Sequence, residues 1–199
     1  MDIPYATIER LALYARCLRH LKENGVKNVS SYIISAEVKT TPEQVRKDLS
    51  YFGKFGKTGE GYNVDKLLKK IEKILKPKRK VNIAIIGVGA LGTALARFKG
   101  FKEVGYEVKA LFDIDPKKIG KQIDGVAVSH IDKFREIVDK EKIEIVILSV
   151  PKEVIKDIED IIVKSKVKGV LNFVPITLQL KTRRKIFVLD VDLTQKLYI

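Results

Sequence analysis

The sequence predicts an α/β chain in which a helical N-terminal unit precedes a parallel β-sheet flanked by helices. Apolar residues recur at helical spacing from residue 5 to residue 75, whereas short apolar runs typical of buried strands alternate with helical stretches after residue 80. Between these regions lies KPKRK (76–80), whose proline and charges resist helix continuation and burial. We therefore expect two domains, residues 1–78 and 79–199.

The composition is that of a globular chain of 199 residues, 45% of them apolar. No run reaches the ~18 apolar residues of a membrane span, and the N-terminus lacks the apolar segment of a signal peptide. The single cysteine, Cys17, has no second cysteine for an internal disulfide or a zinc site. We expect a cytoplasmic protein with no membrane partner and no metal.

The net charge of +14 is unevenly placed. Residues 1–80 carry 18 Lys/Arg against 9 Asp/Glu, while residues 81–199 carry 21 against 16. A surplus of this size attracts polyanions, of which nucleic acid is a common example. The alternative is a lysine-rich surface that only serves solubility, and composition alone favours neither.

Three helices are predicted near the N-terminus. The first covers residues 5–22, with an apolar face formed by Ile8, Leu11, Ala12, Ala15, Leu18 and Leu21. A short second helix, capped by Ser30 or Ser31, runs to about Glu37. The motif TTPEQ begins a third, with Thr41 as N-cap in a capping box with Gln44.

The third helix has a polar, basic and aromatic outward face, as the recognition helix of a helix-turn-helix unit does. Its side chains suited to base edges or phosphates are Gln44, Arg46, Lys47, Ser50 and Tyr51. The segment that follows, 51–64, places glycines between aromatic residues, which predicts a β-hairpin wing carrying Lys54 and Lys57. A small helical bundle with a solvated basic face is the alternative, and the helical pattern by itself favours it.

A fourth amphipathic helix is predicted from Asn63 to Leu75. Beyond it, five strand-like runs alternate with helical stretches, the clearest helix being 152–165. The runs are VNIAII (81–86), YEVKALF (106–112), VAV (126–128), EIVILSV (144–150) and GVLNF (169–173). Together these features predict an N-terminal winged helix-turn-helix followed by a C-terminal Rossmann-like parallel sheet.

Three glycines immediately after the first of these strands form G-x-G-x-x-G at Gly87, Gly89 and Gly92. Asp113 lies 21 residues after Gly92 at the end of the second strand, where an acidic side chain can bind the ribose hydroxyls of a dinucleotide. The glycines permit a sharp turn, a close approach of the pyrophosphate, and close packing of helix on strand. The alternative is that they only form a tight strand-to-helix turn.

Two acidic residues in FDID, Asp113 and Asp115, would repel a 2′-phosphate, so NAD(H) is favoured over its phosphorylated form, although Lys117 and Lys118 lie close by. Ligands of doubly wound sheets bind at the carboxyl ends of strands. The predicted cofactor-binding residues are therefore Gly87, Val88, Gly89, Ala90, Leu91, Gly92, Asp113, Ile114, Asp115, Ser149, Val150, Pro151, Asn172 and Phe173. Ordinary packing at strand ends is the alternative for Val150, Pro151 and Phe173.

These motifs resemble those of the Rex family of redox-sensing transcriptional repressors over nearly the whole chain. The resemblance is carried by IPYATIERLALYARCL, QVRKDLSYFGKFGKTGEGYNV, GVGALGTALA, FDIDPKKIG, VPKEV and GVLNFVPITL. It implies a homodimer that binds inverted-repeat operators in double-stranded DNA and is released by NADH, with NAD⁺ competing weakly or supporting DNA binding. It also implies a C-terminal helix, formed here by VDLTQKLYI, that inserts between the domains of the partner subunit.

The resemblance further implies that Arg46, Lys47, Ser50, Tyr51 and Lys57 contact DNA. It also implies that Arg16, Phe98 and Asp192 occupy positions that couple the DNA-binding domain to the ligand-binding domain. Phe98 stands where the family pattern leads us to expect a tyrosine. Without that hydroxyl, we expect a weaker or differently tuned redox response.

The function expected from these features is that of an NADH/NAD⁺-sensing repressor without enzymatic activity. An NAD-dependent dehydrogenase would need a substrate domain and a proton donor, and residues 81–199 leave room for neither. We expect His20 and His130 to be surface or helix-end residues. A coenzyme A-binding subunit would share the sheet but would not explain residues 41–62.

Overall fold

The computed structural model describes residues 3–53 and 61–197 of the chain. The chain divides into two compact units, Met1–Pro77 and Lys78–Ile199. One hydrophobic core lies within the first unit, and two lie on opposite faces of the sheet in the second. The predicted α/β class is confirmed.

Four helices form the described part of the first unit: α1 (Tyr5–Glu23), α2 (Ser31–Glu37), α3 (Pro42–Ser50) and α4 (Val64–Leu75). The side chains of Ser30, Thr41 and Asn63 each accept a hydrogen bond from the N–H group three residues later. Such caps satisfy N–H groups that a helix leaves unpaired in its first turn. The predicted starts of α2, α3 and α4 are therefore confirmed.

Two short strands, β1 (Asn28–Val29) and β2 (Tyr62–Asn63), pair in antiparallel fashion beside these helices. Gly61 precedes β2 with φ +73°, and a Cβ at this position would lie 2.7 Å from the Val29 carbonyl oxygen. Glycine is therefore required where the chain enters β2. The predicted wing hairpin, with Lys54 and Lys57, lies mainly at 54–60, outside the described residues.

The core of the first unit contains Leu11, Leu18, Ile34, Val45, Leu49, Leu67, Leu68 and Ile71. The predicted inward face of α1 is wrong at one position, because Ala12 is exposed and Tyr14 is buried instead. Tyr14 can occupy the core because its hydroxyl finds an acceptor there, the carboxylate of Asp48.

The second unit is built on a seven-stranded sheet, made of β3 (Val81–Ile86), β4 (Tyr106–Asp113), β5 (Gln122–Ile123), β6 (Val126–His130), β7 (Ile143–Leu148), β8 (Gly169–Asn172) and β9 (Phe187–Asp190). The spatial order is β5-β6-β4-β3-β7-β8-β9. All neighbours pair in parallel except β5, which pairs antiparallel with β6 at one edge. Without β5, this is the strand order of a doubly wound dinucleotide-binding sheet.

Helices cover both faces of the sheet. Ala96 of α5 (Ala90–Ala96) and Phe101 of α6 (Gly100–Glu103) belong to the apolar cluster on one face. The helices α7 (Phe134–Lys140) and α8 (Ile155–Val163) supply Phe134, Val138, Ile155 and Ile158 to the other. The predicted helix at 152–165 begins as a 3-10 turn, Lys152–Val154, and becomes α-helical only from Ile155.

The C-terminal end differs from the prediction. The segment 187–190 forms β9, a parallel edge strand that was not among the predicted strands, and all four of its residues are exposed. After it, the described chain forms only a 3-10 turn, Gln195–Leu197, instead of the predicted C-terminal helix. The Asp192 carboxylate accepts hydrogen bonds from Thr194 and Gln195 and so favours a tight turn at this point.

Candidate functional site

The glycine-rich segment lies at the carboxyl edge of the sheet, where β3, β4 and β7 end side by side. The Gly87 N–H donates to the Phe112 carbonyl at 2.8 Å, and the Ser149 N–H donates to the Ile86 carbonyl at 2.9 Å. The Ser149 hydroxyl donates to the Gly87 carbonyl at 2.8 Å. These bonds tie the glycine-rich loop to both neighbouring strands.

Asp113, the last residue of β4, binds this loop directly. Its carboxylate accepts hydrogen bonds from the N–H groups of Val88, Ile114 and Asp115 at 2.8–2.9 Å and from the Lys118 ammonium at 2.9 Å. Burial alone would raise the pKa of Asp113. The hydrogen bonds from Asp115, Lys118 and Val88 outweigh this effect and lower the pKa below its ordinary value of 3.8.

The three glycines of the fingerprint differ in their surroundings. Gly87 has φ +91°, and a Cβ there would lie 2.4 Å from the Ser149 carbonyl oxygen; at Gly92 it would lie 1.9 Å from the Gly87 carbonyl oxygen. A Cβ at Gly89 would meet no atom within 4 Å. Packing therefore requires glycine at 87 and 92, whereas the open space at Gly89 is what the close approach of a ligand would require.

The other predicted ligand-binding residues are divided by their burial. Gly89, Ala90, Leu91, Ile114 and Pro151 are exposed, and Asp115, Ser149, Val150 and Phe173 are half-buried, whereas Val88 is buried. The Ser149 hydroxyl already donates to Gly87, so this side chain joins β7 to the glycine-rich loop. Exposed backbone at Gly89–Leu91 leaves room for a diphosphate beside the start of α5.

Asn172, a predicted cofactor-binding residue, uses its side chain for contacts within the protein. Asn172 is fully buried, and its amide donates to the Ile176 carbonyl at 2.8 Å and to the Asp190 carboxylate at 2.7 Å. Its side-chain oxygen accepts from the Val174 N–H at 3.0 Å. The amide therefore joins β8 to the following turn and, through Asp190, to β9.

The outward face of α3 has the expected chemistry, although some side chains already have partners. Lys47 and Ser50 are exposed, and Tyr51 is half-buried. The Arg46 guanidinium donates to Ser31 Oγ at 2.8 Å and to Glu43 Oε1 at 2.6 Å, and the Ser50 hydroxyl donates to the Lys47 carbonyl. Arg46 would therefore have to exchange an exposed ion pair, which is weak, for a contact to DNA.

Asp48 is a buried charged residue of α3 that the sequence patterns did not single out. It lies on the inner side of α3, and its carboxylate is fully buried. It accepts hydrogen bonds from four side chains on α1 and α3, which are Thr7, Arg10, Tyr14 and Gln44. The signal available in the sequence was a charged residue between Val45 and Leu49 on the apolar face of α3, which a buried position requires to be paired.

The Asp48 contacts also affect Gln44, a predicted base-reading residue. The Gln44 side-chain amide donates to Asp48 Oδ1 at 2.8 Å and is half-buried. Burial would raise the pKa of Asp48, but hydrogen bonds from Arg10, Tyr14 and Gln44 lower it below 3.8, so the carboxylate stays ionised. One N–H of the Gln44 amide thus helps to hold α3, while its second N–H and its oxygen are the groups that a base contact would use.

The three predicted coupling residues lie in different settings. Arg16 is exposed on α1, and Asp192 caps the C-terminal 3-10 turn. Phe98 is 57% exposed, contacts the edge of Phe101 with ring centroids 5.2 Å apart, and borders an open cavity of about 560 Å³ near the start of β4. His20 and His130 are confirmed as a surface residue at the end of α1 and a cap of the 3-10 turn after β6.

Among residues 3–53 and 61–197, no group of three or more His, Cys, Asp or Glu side chains could hold a metal ion. Within the same residues, every helix is too short or too polar to cross a membrane.

Two family models match the chain. "Putative DNA-binding protein N-terminus" matches residues 2–50, and "CoA binding domain" matches residues 78–176. The first lies within the helical unit and the second within the unit that contains the sheet.

Curated relatives called "Redox-sensing transcriptional repressor Rex" match over most of the chain. The protein of Carboxydothermus hydrogenoformans is 44% identical over 197 residues, which cover 99% of this chain and 94% of that protein. The protein of Chloroflexus aurantiacus is 43% identical over 176 residues, which cover 88% of this chain and 83% of that protein.

Solved structures of RSP, a Rex-family repressor, also match the whole fold. The complex with beta-NAD+ and operator DNA has a TM-score of 0.90 at 35% identity and covers 100% of this chain and 90% of that one. The complex with beta-NADH has a TM-score of 0.90 at 34% identity, with coverages of 100% and 92%. This chain therefore belongs to the Rex family of redox-sensing transcriptional repressors.

Proposed function

We propose that this protein is a transcriptional repressor that binds operator DNA and senses the NADH/NAD⁺ ratio. The observation that carries the proposal is similarity over both units to a repressor solved with beta-NAD+ and operator DNA and with beta-NADH. The basic α3 face supports DNA binding, and the glycine-rich loop with Asp113 supports dinucleotide binding.

The DNA contacts proposed for the first unit come from α3 and the segment after it. Lys47 is exposed and makes no ion pair within the described residues, so its charge is available to a phosphate or a guanine. Arg46, Ser50 and Tyr51 would add contacts to bases or phosphates. Lys54 and Lys57 remain proposed wing contacts to the backbone. Gln44 remains a proposed base contact through the amide groups that its bond to Asp48 leaves unused.

The dinucleotide would be held by the loop Gly87–Gly92 and by the end of β4. The open space at Gly89 suits a pyrophosphate, and the Asp113 carboxylate suits ribose hydroxyls. To bind them, Asp113 would share its oxygens with, or release, the bonds that it now accepts from Val88 and Lys118. Asp115 and Ile114 would border the adenosine, and Val150, Pro151 and Phe173 would border the nicotinamide. The dinucleotide would act as a sensed ligand and not as a reactant, and the protein would distinguish NADH from NAD⁺ by its different affinities for them.

The signal to DNA would come from the dimer. Two recognition helices must reach half-sites one helical turn or a multiple apart, ~34–36 Å per turn. When NADH is bound, we infer that the homodimer closes and this spacing is lost. Moving such an equilibrium from 1:99 to 99:1 takes roughly 5.5 kcal/mol of differential binding, which two sites would share. Arg16, Phe98 and Asp192 are the proposed coupling residues.

The relatives of this chain are called redox-sensing transcriptional repressors. We propose that it has no enzymatic activity, because neither histidine of the described residues lies at the ends of β7 and β8, where the nicotinamide would bind. His130 ends β6, next to Asp113 on β4, and caps the turn at Asp132, whereas His20 belongs to the other unit. The match to a coenzyme A-binding model covers only the second unit, and the helical unit favours the repressor over a coenzyme A-binding subunit. We also propose a cytoplasmic location, where DNA and NADH are both present.

The test is fluorescence anisotropy of a labelled inverted-repeat duplex, titrated with the protein alone, with NADH and with NAD⁺. NADH should weaken operator binding strongly, whereas NAD⁺ should leave it unchanged or strengthen it. If neither nucleotide alters the affinity, the sensor function is wrong even if DNA binding persists. Steady consumption of NADH with a metabolite would instead support an enzyme.

A further inference from the structure

The amino edge of the sheet, opposite the edge with the glycine-rich loop, is strongly basic. Because β3, β7, β8 and β9 are parallel, the segments that enter them lie together at this edge. All basic side chains of those segments are exposed. This basic edge consists of Lys78, Arg79, Lys80, Lys140, Lys142, Lys164, Lys166, Lys168, Arg183, Arg184 and Lys185.

Contacts between the entering segments make the basic edge one continuous surface. The Glu144 carboxylate on β7 binds both Arg79 and Lys168, at 2.8 and 2.9 Å. The Arg184 guanidinium donates to the Val163 carbonyl at 3.1 Å, which ties the entry to β9 to the end of α8. Lys185 lies over the Phe187 ring at 4.8 Å.

The ion pairs at this edge leave a large positive surplus. Its eleven basic residues face four acidic ones, Asp139, Glu141, Glu144 and, at the start of the neighbouring strand β4, Glu107, which pairs with Lys109. Glu144 pairs with Arg79 and Lys168, and Asp139 pairs with Lys166 at 3.2 Å. In the described part of the chain, no ion pair involves Lys140, Lys142, Lys164 or Arg183. Exposed like charges at this density repel one another. Binding a polyanion relieves this repulsion and releases the counterions condensed on the polyanion.

We propose that the basic edge binds the phosphate backbone of duplex DNA without sequence preference. We choose duplex DNA as the partner because it is the polyanion that the first unit binds in the proposed function. The first unit ends at Pro77, and the basic edge begins at the next residue, Lys78. This choice of partner rests on the proposed function. The consequence is added affinity for flanking or non-operator DNA, and a binding equilibrium that depends more steeply on salt than α3 alone would give.

The test compares two full-length variants with the same loss of charge. The edge variant carries Lys140→Gln, Lys142→Gln, Lys164→Gln and Arg183→Gln. The control variant carries Lys121→Gln, Lys133→Gln, Arg135→Gln and Lys156→Gln, which are exposed residues outside the basic edge. Each is titrated with a labelled duplex of random sequence over a range of salt concentrations, and NADH affinity is measured to verify folding.

The edge variant should bind the random duplex about tenfold more weakly at low salt, and its log–log salt slope should be smaller by about 2 to 4, since each phosphate contact contributes ~0.9. In the control variant, both the affinity for the random duplex and the salt slope should stay close to those of the wild type. Equal affinities and slopes for the two variants would overturn the proposal. So would edge-dependent binding to phosphatidylglycerol vesicles without any difference on DNA, which would assign the surface to membranes.

The readouts separate this inference from the proposed function. If the wild type binds its operator and responds to NADH but the two variants bind random DNA alike, only the basic edge is wrong. If the wild type shows no NADH-sensitive operator binding while the edge variant still loses random-duplex affinity, the sensor function is wrong and the basic edge stands.

Discussion

Arg10 on α1 binds Asp48 on α3 through two hydrogen bonds, of 2.6 Å from Nε and 2.8 Å from Nη2. Tyr14, one turn further along α1, donates to the same carboxylate at 2.7 Å. A buried carboxylate with several hydrogen-bond donors holds its helix in one orientation. Moving the helix would break one of these bonds and leave a buried charge short of a partner, which costs free energy. Asp48 therefore fixes the position of α3 against α1. Arg16 lies on α1 as well.

Replacing Asp48→Asn should weaken operator binding while leaving NADH affinity unchanged, since Asp48 and the glycine-rich loop belong to different units. Arg10 and Tyr14 would lose the charge that they share, which we expect to lower the free energy of unfolding by about 2 kcal/mol. Operator anisotropy and chemical unfolding measure the two effects.

The matched control for Asp48 is Asp65→Asn. Asp65 also joins α4 to α1, through an exposed ion pair with Lys22 at 2.6 Å. Exposed pairs contribute little, so this variant should resemble the wild type in both assays. Equal losses in the two variants would contradict a special role for Asp48.

Replacing Lys47→Ala should weaken operator binding by about 1 kcal/mol or more, because an exposed α3 lysine would lose a phosphate or base contact. NADH affinity should not change. Lys73→Ala, in the last turn of α4, removes an equal charge outside α3 and serves as the control. An operator affinity equal to that of the wild type would remove Lys47 from the proposed interface.

The glycine fingerprint provides a pair of substitutions with opposite expected outcomes. Gly89→Ala should leave the free energy of unfolding nearly unchanged, because its Cβ would enter open space, yet weaken NADH binding by about tenfold or more, roughly 1.4 kcal/mol. Gly92→Ala should lower stability by about 1–3 kcal/mol or more, because its Cβ would overlap the Gly87 carbonyl. Calorimetric titration with NADH and thermal unfolding check both. Unimpaired NADH binding by Gly89→Ala would contradict the proposed diphosphate position.

The lowered pKa of Asp113 should make the free energy of unfolding depend on pH. Because its folded pKa is lowered below 3.8, its stabilisation is complete above that value and is lost as pH falls through the lower, folded pKa. Asp113→Asn should lower the free energy of unfolding by about 2 kcal/mol at neutral pH, and the difference from the wild type should shrink in acid. Unfolding by urea at several pH values measures this. A difference that stays constant down to acid pH would contradict the assignment.

The exposed position of Phe98 permits a test of the redox response. Phe98→Tyr adds a hydroxyl that the surface can accommodate, since the ring is 57% exposed. If the hydroxyl belongs to the coupling network, the NADH-induced loss of operator affinity should increase severalfold, while affinity without nucleotide stays the same. Phe101→Tyr, on the neighbouring ring, is the control. An unchanged response would remove position 98 from the network.

Local rules made much of this protein predictable from its sequence. The caps at Ser30, Thr41 and Asn63 act over three residues, and the strand β3 followed by G-x-G-x-x-G is a continuous pattern. The α/β class, the helices α1 to α4 and the location of the dinucleotide loop follow from such short-range signals. The strand β9 was missed although IFVL (186–189) is a short apolar run like those of the predicted strands, and its pairing with β8 identifies it.

Tertiary structure alone decided which polar residues are available to a ligand. Asp48 meets partners 34 to 41 residues away on α1, and it also accepts a hydrogen bond from the amide of Gln44, a predicted base-reading residue. Asn172 is committed to Asp190, 18 residues further on, although its place at a strand end suggested ligand binding. Likewise, Gly89 and Gly92 are equivalent in the motif and differ only in what surrounds them. Residue type and spacing predict which chemistry is present, whereas contacts between distant residues determine which atoms remain free to perform it.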